Sequence, residues 1–501
     1  MTAVLLLFPG ALGTGLGLLL QPPVIAAIFI GVAIGIIFGA IPGFSATMTL
    51  ILFTPVTIPF DPSVALVFLV SAYGGAVYAG SIPAILINTP GAPGSVVTCW
   101  DGYELTKSGR ATYALAVSAV VSGLAGIIAA VALLATGPIL ADFALGFGPV
   151  ELFLLAIFAL TIIPAAKGQS LLKGLLGGTF GLLVATVGSD PQLAQPRAIF
   201  DQPLLRSGID FVVVLIGLFV FAEMIFLAAR GEILTTDTDR SDDRAQVFEG
   251  IRAVIARPVE FLRGTFIGIF IGSLPGAGAD VANFVAYNEA KRWASNPAEF
   301  GKGAIEGIIA ADSSNNATQG GALIPTLTVG IPGSGSTAAL LSAFAIHGLN
   351  PGPGLFQRSG VLVYALIFSL FLGNILILVY GLSGAQYFGK ISRIPIRYII
   401  PTVIVLAIVG AFAVRNSYLD IFIMLLFGLV GIILVISDYP MVSVVIGVIV
   451  GGFAEEGFVQ GWTINQGDAV QFLAASNISI ILLILIVLSL VITAVRNRQS
   501  E

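Results

Sequence analysis

The residues of this chain whose spacing carries the most chemistry are backbone breaks. Asn88-Thr89-Pro90-Gly91-Ala92-Pro93-Gly94-Ser95 lies between apolar flanks. It cannot form a regular helix, because two prolines remove donors and the small residues loosen the backbone. Gly330-Ile331-Pro332-Gly333-Ser334-Gly335-Ser336-Thr337 is a second break of the same kind, with three hydroxyls added. In hydrocarbon every N–H and C=O must be paired, so such backbone survives only when buried in protein or lining a wet cavity. Amides exposed at a helix N-terminus suit a carboxylate. Carbonyls at the opposite ends of such breaks suit a sodium ion. The expected substrate-binding residues are therefore Asn88, Thr89, Pro90, Gly91 and Ser95 of the first break, with Pro332, Gly333, Ser334, Gly335, Ser336 and Thr337 of the second.

A second set of positions suits a coupling cation. Pro42, Gly43 and Ser45 follow one apolar stretch, and Pro275 and Gly276 follow another. The run 311–321 brings Asp312, Asn315 and Asn316 together, and adjacent amides offer carbonyl oxygens to a cation and N–H groups to a carboxylate. Acids at membrane depth mark function by default, which singles out Asp312 and Asp280. Each feature also has a plain structural account: a Pro-Gly pair is an ordinary surface turn, small hydroxyls pack helices, and the polar run can be a loop cap. Asp61, in Pro59-Phe60-Asp61-Pro62, reads as a turn former. His347 and Cys99 are single residues without chemical partners nearby in sequence, so histidine or thiolate chemistry and an internal disulfide have no basis here.

What favours function is that the breaks recur in order. Gly39-Ala40-Ile41-Pro42-Gly43 matches Gly272-Ser273-Leu274-Pro275-Gly276. Ile82-Pro83 with Thr89-Pro90-Gly91 has the internal spacing of Ile324-Pro325 with Ile331-Pro332-Gly333. Two matched pairs in the same order indicate an internal repeat.

The elements that hold these breaks are membrane helices. Of 501 residues, 57% are hydrophobic and 10% charged, against roughly 25% charged in a soluble domain, and mean hydropathy is +1.02. Apolar stretches long enough for a bilayer recur along the whole length and predict an all-α polytopic protein of about twelve transmembrane helices. Residues 1–23 lack the basic start and cleavage site of a secretory signal and read as a retained first helix. The repeat halves are 24–229 and 264–495, and between them 230–263 packs six arginines and seven acids into a charged linker. Lysine and arginine gather in cytoplasmic loops, which puts Lys107, Arg110, the linker, Lys390-Arg393-Arg397 and the tail 496–501 inside. The loop 101–111 then lies inside and its counterpart 350–358 outside, so the two halves are inverted, a recurrent transporter architecture with broken helices near the midplane. A formal charge of −5 without a basic stripe gives no footing for nucleic acid.

Gly276-Ala277-Gly278-Ala279, Phe284-Val285-Ala286-Tyr287, Lys291-Arg292, Phe300-Gly301-Lys302-Gly303-Ala304-Ile305-Glu306-Gly307 and Asn315-Asn316-Ala317 together resemble the large membrane subunit of tripartite tricarboxylate transporters. So do Ile87-Asn88-Thr89-Pro90-Gly91 and Gly330-Ile331-Pro332-Gly333-Ser334. The likeness runs from about Gly39 to Glu456, with Ala311-Asp312 where that family usually carries Pro-Glu. The resemblance implies a multi-pass protein of the bacterial inner membrane that is not an enzyme. It would import a tricarboxylate such as citrate, or a related carboxylate, by symport with sodium or protons and without another cofactor. Its partners would be a small membrane subunit and a periplasmic solute-binding protein. The alternatives are a channel or an intramembrane enzyme, and the latter needs a nucleophile with a base or an acid pair with a metal.

Overall fold

The computed structural model describes residues 9–167, 170–190, 195–230, 244–384, 388 and 396–500. The chain is an all-α polytopic membrane protein. Eight described helices are long and apolar enough to cross a bilayer, and six shorter apolar helices accompany them.

The first half opens with α1 (Pro9–Leu19), α2 (Pro22–Gly39) and α3 (Ala46–Phe53). Next come α4 (Pro62–Ala79), α5 (Ser81–Ile87), α6 (Val96–Lys107) and the 34-residue α7 (Ala111–Ala144). After α8 (Pro149–Lys167) and α9 (Leu171–Ala185), two strands of two residues each pair antiparallel, Gly188 opposite Arg197. The half closes on α10 (Phe211–Leu215), a π-helical stretch (Ile216–Phe221) and α11 (Ala222–Arg230). Residues 62–79, short for a span when taken alone, continue through Gly80 into α5 and give an apolar run from Pro62 to Ile87.

The second half holds α12 (Arg244–Ile255), α13 (Pro258–Gly272), α14 (Gly278–Trp293) and α15 (Ile305–Thr328). Beyond the second break lie α16 (Gly335–Ile346), α17 (Leu355–Arg358), α18 (Gly360–Gly384), α19 (Ile396–Arg415) and α20 (Tyr418–Ile436). The chain closes on α21 (Met441–Ile464), α22 (Ala469–Leu473) and α23 (Asn477–Ser500), whose helical backbone includes 496–500 of the expected tail. Residues 231–243 of the expected linker, with Arg240, lie outside the described residues, as do Lys390, Arg393 and residues 1–8 of the expected first helix.

Glycine decides how the halves pack. Gly31, Gly35 and Gly39 of α2 face α4, and Gly264, Gly268 and Gly272 of α13 face α15, in identical spacing ahead of the two Pro-Gly turns. A Cβ on Gly35 would stand 2.2 Å from the Ala72 carbonyl oxygen, and one on Gly268 2.3 Å from that of Ser314. Only glycine lets backbones meet this closely, as in membrane helix pairs generally. At the turns themselves Gly43 and Gly276 have φ of 78° and 72°, a region open to glycine at no steric cost.

The centre of the bundle is α15. Every one of its residues except Glu306 is buried, and its two adjacent glycines serve two neighbours, Gly320 admitting α7 at Ala129 and Gly321 admitting α13 at Ile269. The polar run 311–321 is therefore the interior of a helix rather than a loop cap. Asn316 is held both across helices and along its own: its Nδ2 donates to Ser122 Oγ of α7 at 2.7 Å and its Oδ1 accepts from Gln319 Nε2 at 2.8 Å.

At one end of the bundle, Arg110 pairs with Glu249 at 2.8 Å, and Gln246 accepts from Tyr113 N and donates to the Gly109 carbonyl. The α12 segment of the linker thus sits on the turn that joins α6 to α7. Arg257 Nε donates to Glu306 Oε1 at 2.6 Å, fixing the start of α15 to the same linker.

Candidate functional site

The two breaks have the same backbone plan. The first broken helix ends on Asn88, a left-handed C-cap at φ 55°, and the second passes through Gly330 at φ 81°. A Cβ on Gly91 would meet the Gly39 carbonyl oxygen at 2.6 Å and Gly80 Cα at 2.7 Å. One on Gly333 would meet the Gly272 carbonyl oxygen and Ala322 Cα, both at 2.7 Å. In each half the glycine of the break is thus pressed between the last carbonyl of the glycine-lined helix and a small residue of the broken one. Gly91 N donates to the Gly80 carbonyl at 3.0 Å, and the Pro332 carbonyl accepts from Gly276 N at 3.2 Å, so one amide of the first break and one carbonyl of the second are satisfied by backbone.

Four helices begin beside these breaks, and all four N-termini reach one cavity of about 430 Å³. Ser45, Ala46 and Thr47 bring the start of α3, and Gly94 and Val96 that of α6. Gly278 and Asp280 bring the start of α14, and Ser334, Gly335 and Ser336 that of α16. Each helix start presents unpaired amides and the positive end of a dipole equivalent to roughly half a charge. Two of the four are capped by their own chain: Ser45 Oγ accepts from Met48 N, and Ser334 and Thr337 form a reciprocal capping box. The starts of α6 and α14 carry no side-chain cap. Thr47 Oγ1 lies 3.0 Å from Ser336 Oγ, so hydroxyls from the two halves touch across the cavity.

Of the residues expected from sequence, Gly43, Ser45, Pro90, Gly91 and Gly276 line the cavity, as do Asn315, Ser334, Gly335 and Ser336. Pro42, Asn88, Thr89, Ser95, Pro275, Pro332, Gly333 and Thr337 shape the turns without lining it. Asn315 and Asn316 part company: Asn315 reaches the cavity and donates to the Val77 carbonyl at 3.2 Å, while Asn316 is turned to α7. Asp312 is fully buried behind the cavity and accepts from Ser81 and Thr98.

The structure adds lining residues that the spacing did not single out, among them Thr47, Tyr73, Thr318 and Glu223. Glu223 had a legible signal, an acid inside the apolar stretch 209–229. Asp101 carried no spacing signal, yet its Oδ1 accepts the backbone amides of Gly301, Gly303 and Ala304 at 2.8, 2.9 and 2.8 Å. Its Oδ2 accepts from the Tyr287 hydroxyl at 2.8 Å. The lone His347 lies within 3.1 Å of Thr57 Oγ1 at the end of α16, and burial holds its imidazole below the ordinary value.

Comparison with known proteins places the chain in a family. A protein from Agrobacterium vitis described as "Uncharacterized 52.8 kDa protein in TAR-I ttuC' 3'region" is 35% identical over 467 residues, 92% of this chain and 91% of the relative. A second from the same organism, "Uncharacterized protein in TAR-II ttuC' 3'region", is 30% identical over 237 residues, 47% of this chain and 98% of the relative. No solved structure matches the chain. The model of the tripartite tricarboxylate transporter TctA family matches residues 25–446. That span holds both breaks, both glycine seams and every lining residue of the cavity, and the chain belongs to the tripartite tricarboxylate transporter TctA family.

Proposed function

We propose that this chain is the translocating subunit of a tripartite uptake system in a bacterial inner membrane, carrying a tricarboxylate such as citrate, or a related carboxylate, by symport with a cation. The observation that carries the reading is the convergence of four helix N-termini on one cavity, two of them without side-chain caps. Oriented amides in a site of low dielectric are the usual protein receptor for an anion. A carboxylate leaving water for a buried site carries a negative charge that is costly to desolvate, and a cation that enters with it lowers that cost. That is the physical ground for symport. Family membership supports a small membrane subunit and a periplasmic solute-binding protein as partners.

The test is binding and uptake by the purified chain. In a thermal-shift panel of citrate, malate, succinate and glutarate, at least one should raise the melting temperature, and it should be taken up into proteoliposomes against its gradient when a cation gradient is imposed. Gly94→Leu should abolish both while the protein remains folded, because a Cβ there already stands 2.9 Å from Asn315 Oδ1 and 3.0 Å from Ala279 Cβ. Normal binding by that variant would move the substrate site elsewhere.

A further inference from the structure

Asp312 is fully buried in the second turn of α15, and no charged side chain acts on it among the described residues. Its Oδ1 accepts from Ser81 Oγ at 2.9 Å and from Thr98 Oγ1 at 2.6 Å, while Oδ2 has no hydrogen-bond partner among the described residues. The Ser118 hydroxyl of α7, also buried and without a partner, faces the same carboxyl group. The packed elements bring it neutral groups. They are Tyr78 from α4, Ser81 from α5, Thr98 and Cys99 from α6 and Ser118 from α7. The glycines of α13 meet α15 beside it. Asn283 of α14 accepts from Ser314, and Asp280, one turn before it, belongs to the adjoining cavity.

An ionised carboxylate held in this way, without counter-charge, is strongly disfavoured. A proton on Oδ2 removes the charge and turns the orphaned oxygen into a donor directed at Ser118. Sodium suits the place less well. Sodium sites in broken-helix transporters draw on unwound carbonyls, whereas Asp312, Ser81 and Thr98 all lie within helical segments whose carbonyls serve the helix.

The position also explains how such a proton would act on the substrate. Ser81 begins α5 and Thr98 lies in the first turn of α6, so one carboxyl oxygen ties both flanks of the first break to the central helix. Asn315, one turn along the same helix, lines the cavity. Resting on the cavity reading above, we propose that Asp312 carries the coupling proton. Oδ2 takes a proton from water on the outer side when the carboxylate is bound, and returns it to water on the inner side when the carboxylate leaves. One positive charge thus enters with each turnover.

Infrared spectroscopy of the full-length chain should show the carbonyl stretch of a buried, protonated carboxylic acid, lost in Asp312→Asn. In proteoliposomes without sodium, an inward proton gradient should drive accumulation of whichever of citrate, malate, succinate and glutarate binds best. Asp312→Asn should reduce that accumulation by about tenfold or more, within the range of coupling between sites. It should keep counterflow exchange, and its affinity should no longer change with pH. Should Asp312→Asn fail to fold, Ser118→Ala and Thr98→Val serve in its place, each moving the pH midpoint of carboxylate binding. The proposal is overturned if the infrared band is absent or survives Asp312→Asn. It is equally overturned if that variant accumulates substrate like the wild type, if only a sodium gradient drives uptake, or if the two hydroxyl variants leave the midpoint unchanged. An Asp312 band in a chain that binds none of the four carboxylates would instead overturn the cavity reading alone.

Discussion

Two buried aspartates of this chain show how surroundings assign a residue's work. Asp101 is surrounded by donors: three backbone amides and a phenol converge on it, so its charge is dispersed over four hydrogen bonds. Asp312 has two hydroxyl donors on one oxygen and none on the other. The first is a fastener between α6 and the loop that leads into α15. Asp101→Ala strands donors that each cost about 1–3 kcal/mol when left unpaired. We therefore expect a loss of several kcal/mol, read as a clear fall in melting temperature, with Asp101→Asn intermediate because it keeps one acceptor oxygen. An unchanged melting temperature for the alanine variant would remove the fastening role. Its partners Tyr287, Gly301, Gly303 and Ala304 all stand in the motif-bearing stretch of the sequence; that they turn toward an acid some two hundred positions earlier required the fold.

At the scale of elements, the glycine seams and the breaks form one device. The tight approach of α2 to α4 and of α13 to α15 places the last carbonyl of each seam helix against the break glycine. Widening a seam should therefore disturb the cavity as well as stability. Gly268→Leu forces side-chain atoms into the Ser314 backbone, and overpacking of this kind costs typically about 1–3 kcal/mol. The expected outcome is a lower melting temperature together with weakened carboxylate binding. Lower stability with full affinity would show that seam and site are independent. The breaks were legible beforehand because proline and glycine chemistry is local. The helical state of 311–321 was not, because polar side chains compete with helix backbone unless they find partners elsewhere, and here the partners lie on α4, α5, α6 and α7.

At the scale of the molecule, the halves interleave: α15 of the second half packs against α4 and α7 of the first, and the cavity takes the starts of α3 and α6 from the first half and of α14, α16 and α21 from the second. The contact of α12 with the α6–α7 turn puts Arg110 and the described part of the linker at one end of the bundle. From the charge bias we propose that this end is the cytoplasmic one. Single cysteines introduced at Ser108 and Gln357 in a Cys99→Ser background should accordingly be labelled from opposite faces, with Ser108 and the linker reacting from the same side. Labelling of both positions from one face would show that the two halves are not inverted.

What the sequence determined by itself was the set of properties that depend on neighbours along the chain. They are the membrane class, from apolar runs of bilayer length; the breaks, from proline and glycine; and their recurrence, from spacing. Tertiary structure alone decided which of the break residues reach a common space. Proline and glycine specify where a helix must end but not where the next N-terminus points. Four such ends meet only because the glycine seams bring α2 onto α4 and α13 onto α15 at backbone contact. The same packing separates Asn315 from its neighbour Asn316, since consecutive residues on a helix project about 100° apart and a central helix has a different neighbour on each face. It also buries Asp312 among hydroxyls contributed by three other helices, and no spacing along the chain records that arrangement.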